Sequence, residues 1–184
     1  MLSYTISLIG LLLLSCIVQQ FLPPITPWYD ARILLLPLVV LCGSATVPTA
    51  GMLILAFLGG FLWDAQYIIL TPDLDPSVFQ PTSDSPKFGY SIILYAFMGF
   101  LMQGIRPLFQ DGKWYLSAGL TGVAIFLYLF AEFLLCSFVR GSLNLDNGVV
   151  EEIGMTSIIT MLVSPLIFWM LYRIADLCGH DISD

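Results

Sequence analysis

The sequence predicts an all-α integral membrane protein that folds as a compact bundle of about six transmembrane helices, with five as the alternative. Of its 184 residues, 58% are hydrophobic and only 10% are charged, whereas a soluble domain carries about 25% charged and roughly 45–50% apolar residues. Since one span takes about 20 residues, this length holds about six spans and no soluble domain of ordinary size. We therefore treat residues 1–184 as a single membrane domain.

The first apolar run covers residues 2–22 and is interpreted as a retained span. It is longer than the apolar core of a secretion signal, which is about 7–15 residues, and no small-x-small cleavage pattern follows it. Pro23, Pro24 and Pro27 end it, because proline cannot continue a helix and restricts the residue before it.

The remaining spans are separated by prolines, glycines and polar residues. Residues 43–46 predict a tight turn, with Pro48 in the first turn of the next helix, so the second and third spans form a close hairpin that is tilted or partly re-entrant. Four prolines and three aspartates make residues 65–87 an exposed loop, since unpaired backbone cannot lie against lipid. The predicted spans cover residues 2–22, 28–42, 47–63, 88–106, 114–139 and 153–171.

Charge and cysteine usage exclude several classes of function. The net charge is −7, and no two basic residues are adjacent, so binding to nucleic acid has no support. The four cysteines are far apart and form no CxxC motif, which favours a role in packing. The one histidine, His180, lies in the polar C-terminal segment, outside the predicted spans. We expect no bound metal and no cofactor.

Two acidic residues lie in or beside apolar segments, where ionisable groups are costly and mark functional candidates. Asp64 follows the third span, and we expect it to cap or anchor that helix end at the aqueous boundary; a specific role remains open. Glu132 lies within the fifth span and is either an interior carboxyl that is protonated or hydrogen-bonded, or a functional group. Asp64 has no clear aspartate mate for intramembrane proteolysis, and no GxSxG motif is present. We expect no catalytic residues and no enzymatic activity.

Small residues in the spans are the second group of candidates. Gly59, Gly60, Ala118 and Gly122 permit close helix approach, either inside the bundle or at a partner interface. Helical periodicity puts Glu132 on the same face of the fifth span as Ala118 and Gly122. Since a carboxyl facing lipid is penalised, we expect this face to turn inward. Its members are Ala118, Gly122, Ile125, Leu129, Glu132 and Cys136.

The order of these features resembles MreD, the small membrane subunit of the bacterial rod-shape complex. The family pattern has an (R/P)-D-like start to the second span, an apolar span ending in G-x-x-x-D, and a short Gly-containing return into the fourth span. Here these are residues 30–36, the segment Gly60-Phe61-Leu62-Trp63-Asp64, and Phe88-Gly89-Tyr90. The chain departs from the family in the long insertion at 65–87 and in the Asp-Ala-Arg order at 30–32.

The resemblance implies a non-enzymatic subunit in the cytoplasmic (inner) membrane of a bacterium. Such a protein binds an MreC-like membrane protein and links it to the peptidoglycan synthases of cell elongation. With three basic residues on each side, the positive-inside rule does not fix the orientation; both termini should share one side, taken as cytoplasmic. The alternative is a substrate-binding subunit of an energy-coupling-factor vitamin or metal transporter, which has a similar six-span architecture. Its docking patch on the first helix would correspond to Ser3-xxx-Ser7.

Overall fold

The computed structural model describes residues 2–23, 25, 31–70, 89–105, 114–140 and 147–179. Within them the chain is helical, apart from short connections and one isolated antiparallel bridge between Ile25 and Ala31. The six helices of the described part are α1 (Leu2–Phe21), α2 (Leu35–Thr46), α3 (Thr49–Leu70), α4 (Tyr90–Gly104), α5 (Trp114–Arg140) and α6 (Asn147–Cys178).

Four helices, α1, α3, α5 and α6, are long and apolar enough to cross a membrane. The other two, α2 and α4, are apolar but have only 12 and 15 residues. Large apolar side chains are exposed on every helix except α2, including Phe57 of α3, Phe97 of α4 and Leu162 of α6. An exterior of this kind fits a lipid environment. Within the described residues the fold is therefore an all-helical bundle suited to a membrane, with four helices of spanning length where the sequence predicts about six spans.

The second helix differs most from the prediction of a span at 28–42. Residues 28–30 lie outside the described part, residues 31–34 are not helical, and α2 begins at Leu35. The predicted turn at 43–46 is also wrong, because these residues are the last turn of α2. The break comes at Val47, whose extended backbone (φ −112°, ψ 158°) reflects the restriction that Pro48 places on the residue before it.

The third helix continues past its predicted end at residue 63. No proline or glycine follows Asp64 until Pro72, and residues 65–70 extend α3 to Leu70. The predicted loop at 65–87 is therefore helical in its first six residues, and its remainder lies outside the described part. Asp64 is consequently inside a helix and not at its end, which corrects the prediction made from its charge.

The sixth helix is longer than predicted at both ends. It starts at Asn147 and includes Glu151 and Glu152, both exposed. It stops at Cys178 because Gly179 adopts a left-handed conformation (φ 61°), a common way to end a helix. The fourth and fifth spans agree with α4 and α5 to within two residues at each end.

The short helix α2 occupies the centre of the bundle. Every residue from Leu36 to Thr46 is buried, and α2 contacts all five other helices. It packs antiparallel to α3, as the predicted hairpin requires: a methyl group at Gly43 would lie 3.3 Å from Leu55 Cδ1, and one at Gly59 would lie 2.5 Å from Val40 Cγ2.

The N-terminus of α2 is paired by side chains from other helices. Its N-cap residue Leu34 provides no side-chain cap. Instead, the Leu36 N–H donates to Gln19 Oε1 of α1 at 2.8 Å, and the Leu34 N–H donates to Thr160 Oγ1 of α6 at 3.3 Å. The preceding Arg32 N–H donates to Thr156 Oγ1, also at 3.3 Å. Neighbouring helices therefore supply the acceptors that helix termini lack.

The opposite end of α2 is held in the same way. Tyr4 donates its hydroxyl hydrogen to Thr46 Oγ1 at 2.8 Å, and Gln103 Nε2 donates to the carbonyl of Val47 at 3.1 Å. The start of α1 and the end of α6 also lie at this end, since Ser7 Oγ is 3.7 Å from Cys178 Sγ.

Pro165 lies in the middle of α6. Because proline has no backbone N–H, it cannot donate the helical hydrogen bond to the carbonyl of Met161. Ser164 Oγ donates to that same carbonyl at 2.8 Å. The hydroxyl thus replaces the missing backbone donor, which is how proline is tolerated inside membrane helices.

Replacing Gln19 with leucine tests the pairing of the α2 N-terminus. Gln19→Leu removes the acceptor for the Leu36 N–H, and an unpaired buried amide costs about 1–3 kcal/mol. We expect a lower Tm in detergent for Gln19→Leu and an unchanged Tm for Gln20→Leu, because Gln20 is exposed on the same turn. Equal melting temperatures for the two variants would contradict this account of α2.

Candidate functional site

The contact between α3 and α4 is built by the two fixed residues of the G-x-x-x-D segment. Asp64 Oδ2 accepts a 2.7 Å hydrogen bond from the N–H of Gly89, the N-cap residue of α4. Gly89 has a left-handed backbone (φ 106°) and, as a glycine, no side chain to cap the helix. A carboxylate at a helix N-terminus pairs an otherwise open donor and is favoured by the helix dipole. Asp64 thus caps α4 from a neighbouring helix.

One turn before Asp64, Gly60 brings the backbones of α3 and α4 together. A methyl group at Gly60 would lie 2.5 Å from Cα of Ile92 and 2.6 Å from its backbone N. No side-chain rearrangement relieves a clash with backbone atoms, so only glycine fits here. Gly60 therefore sets the close approach that brings Asp64 to Gly89.

A second polar contact joins α3 to α5. The indole N–H of Trp63 donates to Glu132 Oε1 at 3.1 Å. Trp63 is buried and Glu132 is partly buried. Of the two states expected for an interior Glu132, protonated or hydrogen-bonded, the structure contains a hydrogen bond that Glu132 accepts from a neighbouring helix. Adjacent residues of α3, Trp63 and Asp64, therefore connect to α5 and α4 respectively.

Three aromatic rings fill the space between these helices. Trp63 meets Tyr128 edge to face, with centroids 6.4 Å apart and an interplanar angle of 81°. Tyr128 also stacks on Tyr95 of α4 at 5.0 Å and 26°. Both tyrosines are fully buried, and such ring pairs add to the free energy gained from burial alone. We call Trp63, Asp64, Gly89, Tyr95, Tyr128 and Glu132 the three-helix seam.

The first half of the inward face predicted for α5 is buried in the structure. Ala118, Gly122 and Ile125 are buried, whereas Phe126 and Phe130, which flank this face, are exposed and stacked on each other at 6.3 Å. The other members of the inward face, Leu129, Glu132 and Cys136, are partly buried.

The other small residues pack inside the bundle at separate places. A methyl group at Gly122 would lie 2.7 Å from Met161 Sδ of α6, and Gly59 faces Val40 of α2. Ala118 is 8% exposed. The six candidate residues therefore do not form one cluster. Gly60, Asp64 and Glu132 make contacts at the same end of α3. Gly59 lies in the contact between α2 and α3, and Gly122 lies in the contact between α5 and α6.

Sequence reasoning missed the partners of the acidic residues. Tyr128 lies one helical turn before Glu132, so helical spacing could have placed it near that carboxyl group. Trp63 and Gly89 lie on other helices than the carboxyl groups they bind, so spacing gave no signal for them. Tyr95 gave no such signal.

Among the residues that the structure describes, no group of three His, Cys, Asp or Glu side chains is placed to hold a metal ion. The seam offers hydrogen-bond acceptors, an indole donor and aromatic faces, and its contacts hold three helices together.

No protein-family model, curated protein or solved structure matches the chain.

Replacing Gly60 with alanine tests the α3–α4 approach. The added methyl group must push the Ile92 backbone away, and overpacking of this kind costs about 1–3 kcal/mol. We expect Gly60→Ala to lower the Tm in detergent. Gly104→Ala in α4 is the control, because no atom lies within 4 Å of its added methyl group and its Tm should stay unchanged. A neutral Gly60→Ala variant would contradict the contact.

A double-mutant cycle tests the link between α3 and α5. Glu132→Leu removes the acceptor for the indole N–H, Trp63→Phe removes the donor, and Glu132→Gln keeps an acceptor oxygen. We expect a coupling free energy between positions 63 and 132 of about 0.6–2 kcal/mol, the usual range for hydrogen bonds between membrane helices. Unfolding in mixed micelles measures it. Additive effects of the two single changes would show that this hydrogen bond contributes nothing.

Proposed function

We propose that the protein is a non-enzymatic membrane subunit of the MreD type in the bacterial rod-shape machinery. In this role it binds an MreC-like membrane protein in the cytoplasmic membrane and links it to the peptidoglycan synthases of cell elongation. The proposal starts from the sequence resemblance, whose most specific residues are Gly60 and Asp64.

One observation carries the proposal. Gly60 and Asp64, the fixed positions of the G-x-x-x-D segment, both contact the start of α4, Gly60 through Ile92 and Asp64 through Gly89. Gly89, which belongs to a segment that also contributes to the resemblance, supplies the N–H on the other side of that contact. Two segments that match the family pattern thus meet at the contact between α3 and α4. This is expected if the pattern maintains a helix arrangement that partner proteins bind.

The alternative, a transporter subunit, would use a docking patch of small residues on α1. Ser7 in that patch donates a hydrogen bond to the carbonyl of Ser3 and lies 3.7 Å from Cys178 of α6. The patch therefore contacts its own bundle through Ser7. This favours the MreD-type proposal over the transporter one.

Capture of partners from native membranes tests the proposal. The tagged chain, solubilised in mild detergent, should retain an MreC-like protein and elongation-specific synthases, identified by mass spectrometry. Recovery of transporter ATPases in their place would establish the alternative. Depletion of the protein in a rod-shaped host should give rounded or widened cells, and normal rods after complete loss would refute the proposal.

The charge of Asp64 can be separated from its capping role. Asp64→Asn keeps an oxygen that accepts from the Gly89 N–H, while Asp64→Ala removes it and should cost about 0.5–2 kcal/mol, as for other lost helix caps. We expect Asp64→Asn to keep normal membrane levels and normal partner capture. Lost capture at normal levels would show instead that a partner contacts the carboxylate directly.

A further inference from the structure

The hydroxyl of Tyr95 is a buried polar group in the three-helix seam. Its side chain is fully buried, and its oxygen makes no hydrogen bond to the residues that the structure describes. The Tyr128 side chain lies beside it, but the two hydroxyls do not reach hydrogen-bonding geometry. By contrast Tyr4, only 1% exposed, donates its hydroxyl hydrogen to Thr46. An unmade hydrogen bond in a buried site costs free energy, so the large majority of buried side-chain polar atoms have a partner.

Two carboxyl groups lie within electrostatic range of the Tyr95 hydroxyl. The charges of Glu132 on α5 and Asp64 on α3 both act on it. Neither carboxyl is close enough to make a direct hydrogen bond with it. The hydroxyl therefore has two acidic neighbours at more than hydrogen-bonding distance.

The carboxyl group of Glu132 has a second oxygen that can take part in a bridge. Oε1 accepts from the indole of Trp63, and Oε2 accepts no hydrogen bond from the described residues. Glu132 is only partly buried, so the protein does not cover it completely. Both protonation states of this group bind water, because a carboxylate accepts from it and a protonated carboxyl donates to it.

Water fits between these groups better than a metal ion. Polar groups more than about 3.5 Å apart are often joined by a water, and a buried water makes about 2–4 hydrogen bonds. Tyr95 and Glu132 supply the first two, and Asp64 lies within electrostatic range of both. A calcium ion needs about 6–8 oxygen ligands, more than these side chains provide.

We propose that the three-helix seam binds a water molecule that bridges the Tyr95 hydroxyl to the carboxyl group of Glu132. Tyr95 donates to the oxygen of this water, which in turn hydrogen-bonds to Glu132 Oε2. The water completes the pairing of a buried hydroxyl and links α4 to α5 beside the aromatic stack. This site does not depend on which protein partner the bundle binds.

Hydroxyl-radical footprinting of the full-length protein in detergent tests the site. X-rays produce radicals from bound water as well as from bulk water, so a buried side chain next to a bound water is oxidised despite its burial. Mass spectrometry then gives the oxidation rate of each tyrosine. We expect Tyr95 to be oxidised several-fold faster than Tyr4, the matched control, which is also buried but is paired with Thr46.

Variants at position 132 test the second partner of the water. Glu132→Leu removes it, and oxidation of Tyr95 should fall to the rate of Tyr4. Glu132→Gln keeps a polar group, and Tyr95 should still be oxidised faster than Tyr4. Glu152→Leu is the control, because Glu152 is exposed on α6 and its loss should leave the Tyr95 rate unchanged.

Three outcomes overturn the proposal. The first is equal oxidation of Tyr95 and Tyr4 in the wild type. The second is an unchanged Tyr95 rate in Glu132→Leu. The third is a Tm that is higher in sodium chloride than in N-methylglucamine chloride at equal ionic strength, in the wild type but not in Glu132→Leu, because a cation would then occupy the site. Each variant must elute as a single species from size exclusion. If Glu132→Leu does not, Tyr95→Phe replaces it, with an expected fall in the oxidation of Tyr128.

Discussion

The pairing of backbone amides around α2 is the constraint on which the rest of the bundle depends. A membrane offers no water to backbone groups in its apolar interior, so every N–H there needs an acceptor from the protein. Because α2 is short, central and buried, neighbouring helices must supply these acceptors. Gln19 of α1 and Thr160 of α6 do so at its N-terminus, and this fixes where α1 and α6 lie relative to the centre.

The remaining helices join this centre by two kinds of contact. Glycines allow close approach: Gly59 admits Val40 of α2, Gly60 admits the α4 backbone, and Gly122 admits Met161 of α6. Isolated polar pairs then set the rotation of each helix, as Asp64 does for α4 and Trp63 does for α5. Apolar packing supplies the area of contact, while the few polar groups select one arrangement among many that are equally apolar.

Much of this could be predicted from the sequence, because apolar length and proline positions are strong local signals. The helical class, the antiparallel pairing of α2 with α3, and the inward face of α5 follow from such patterns. The late start of α2 could not be predicted, since it depends on Thr156 and Thr160, more than 120 residues away in the sequence. The extension of α3 beyond Asp64 was missed because a charged residue was taken as the end of the apolar environment. In the structure Asp64 has a partner, Gly89, on another helix.

The distance in sequence between α2 and its acceptors has a consequence for biosynthesis. When residues 31–46 leave the ribosome, the helix that carries Thr156 and Thr160 has not been synthesised. The amides of Arg32 and Leu34 must therefore stay hydrated or be shielded by the insertion machinery until α6 enters the bilayer. The central helix α2 is thus among the last elements to reach its final position. Helix α6 completes the packing of a helix that was synthesised within the first 50 residues.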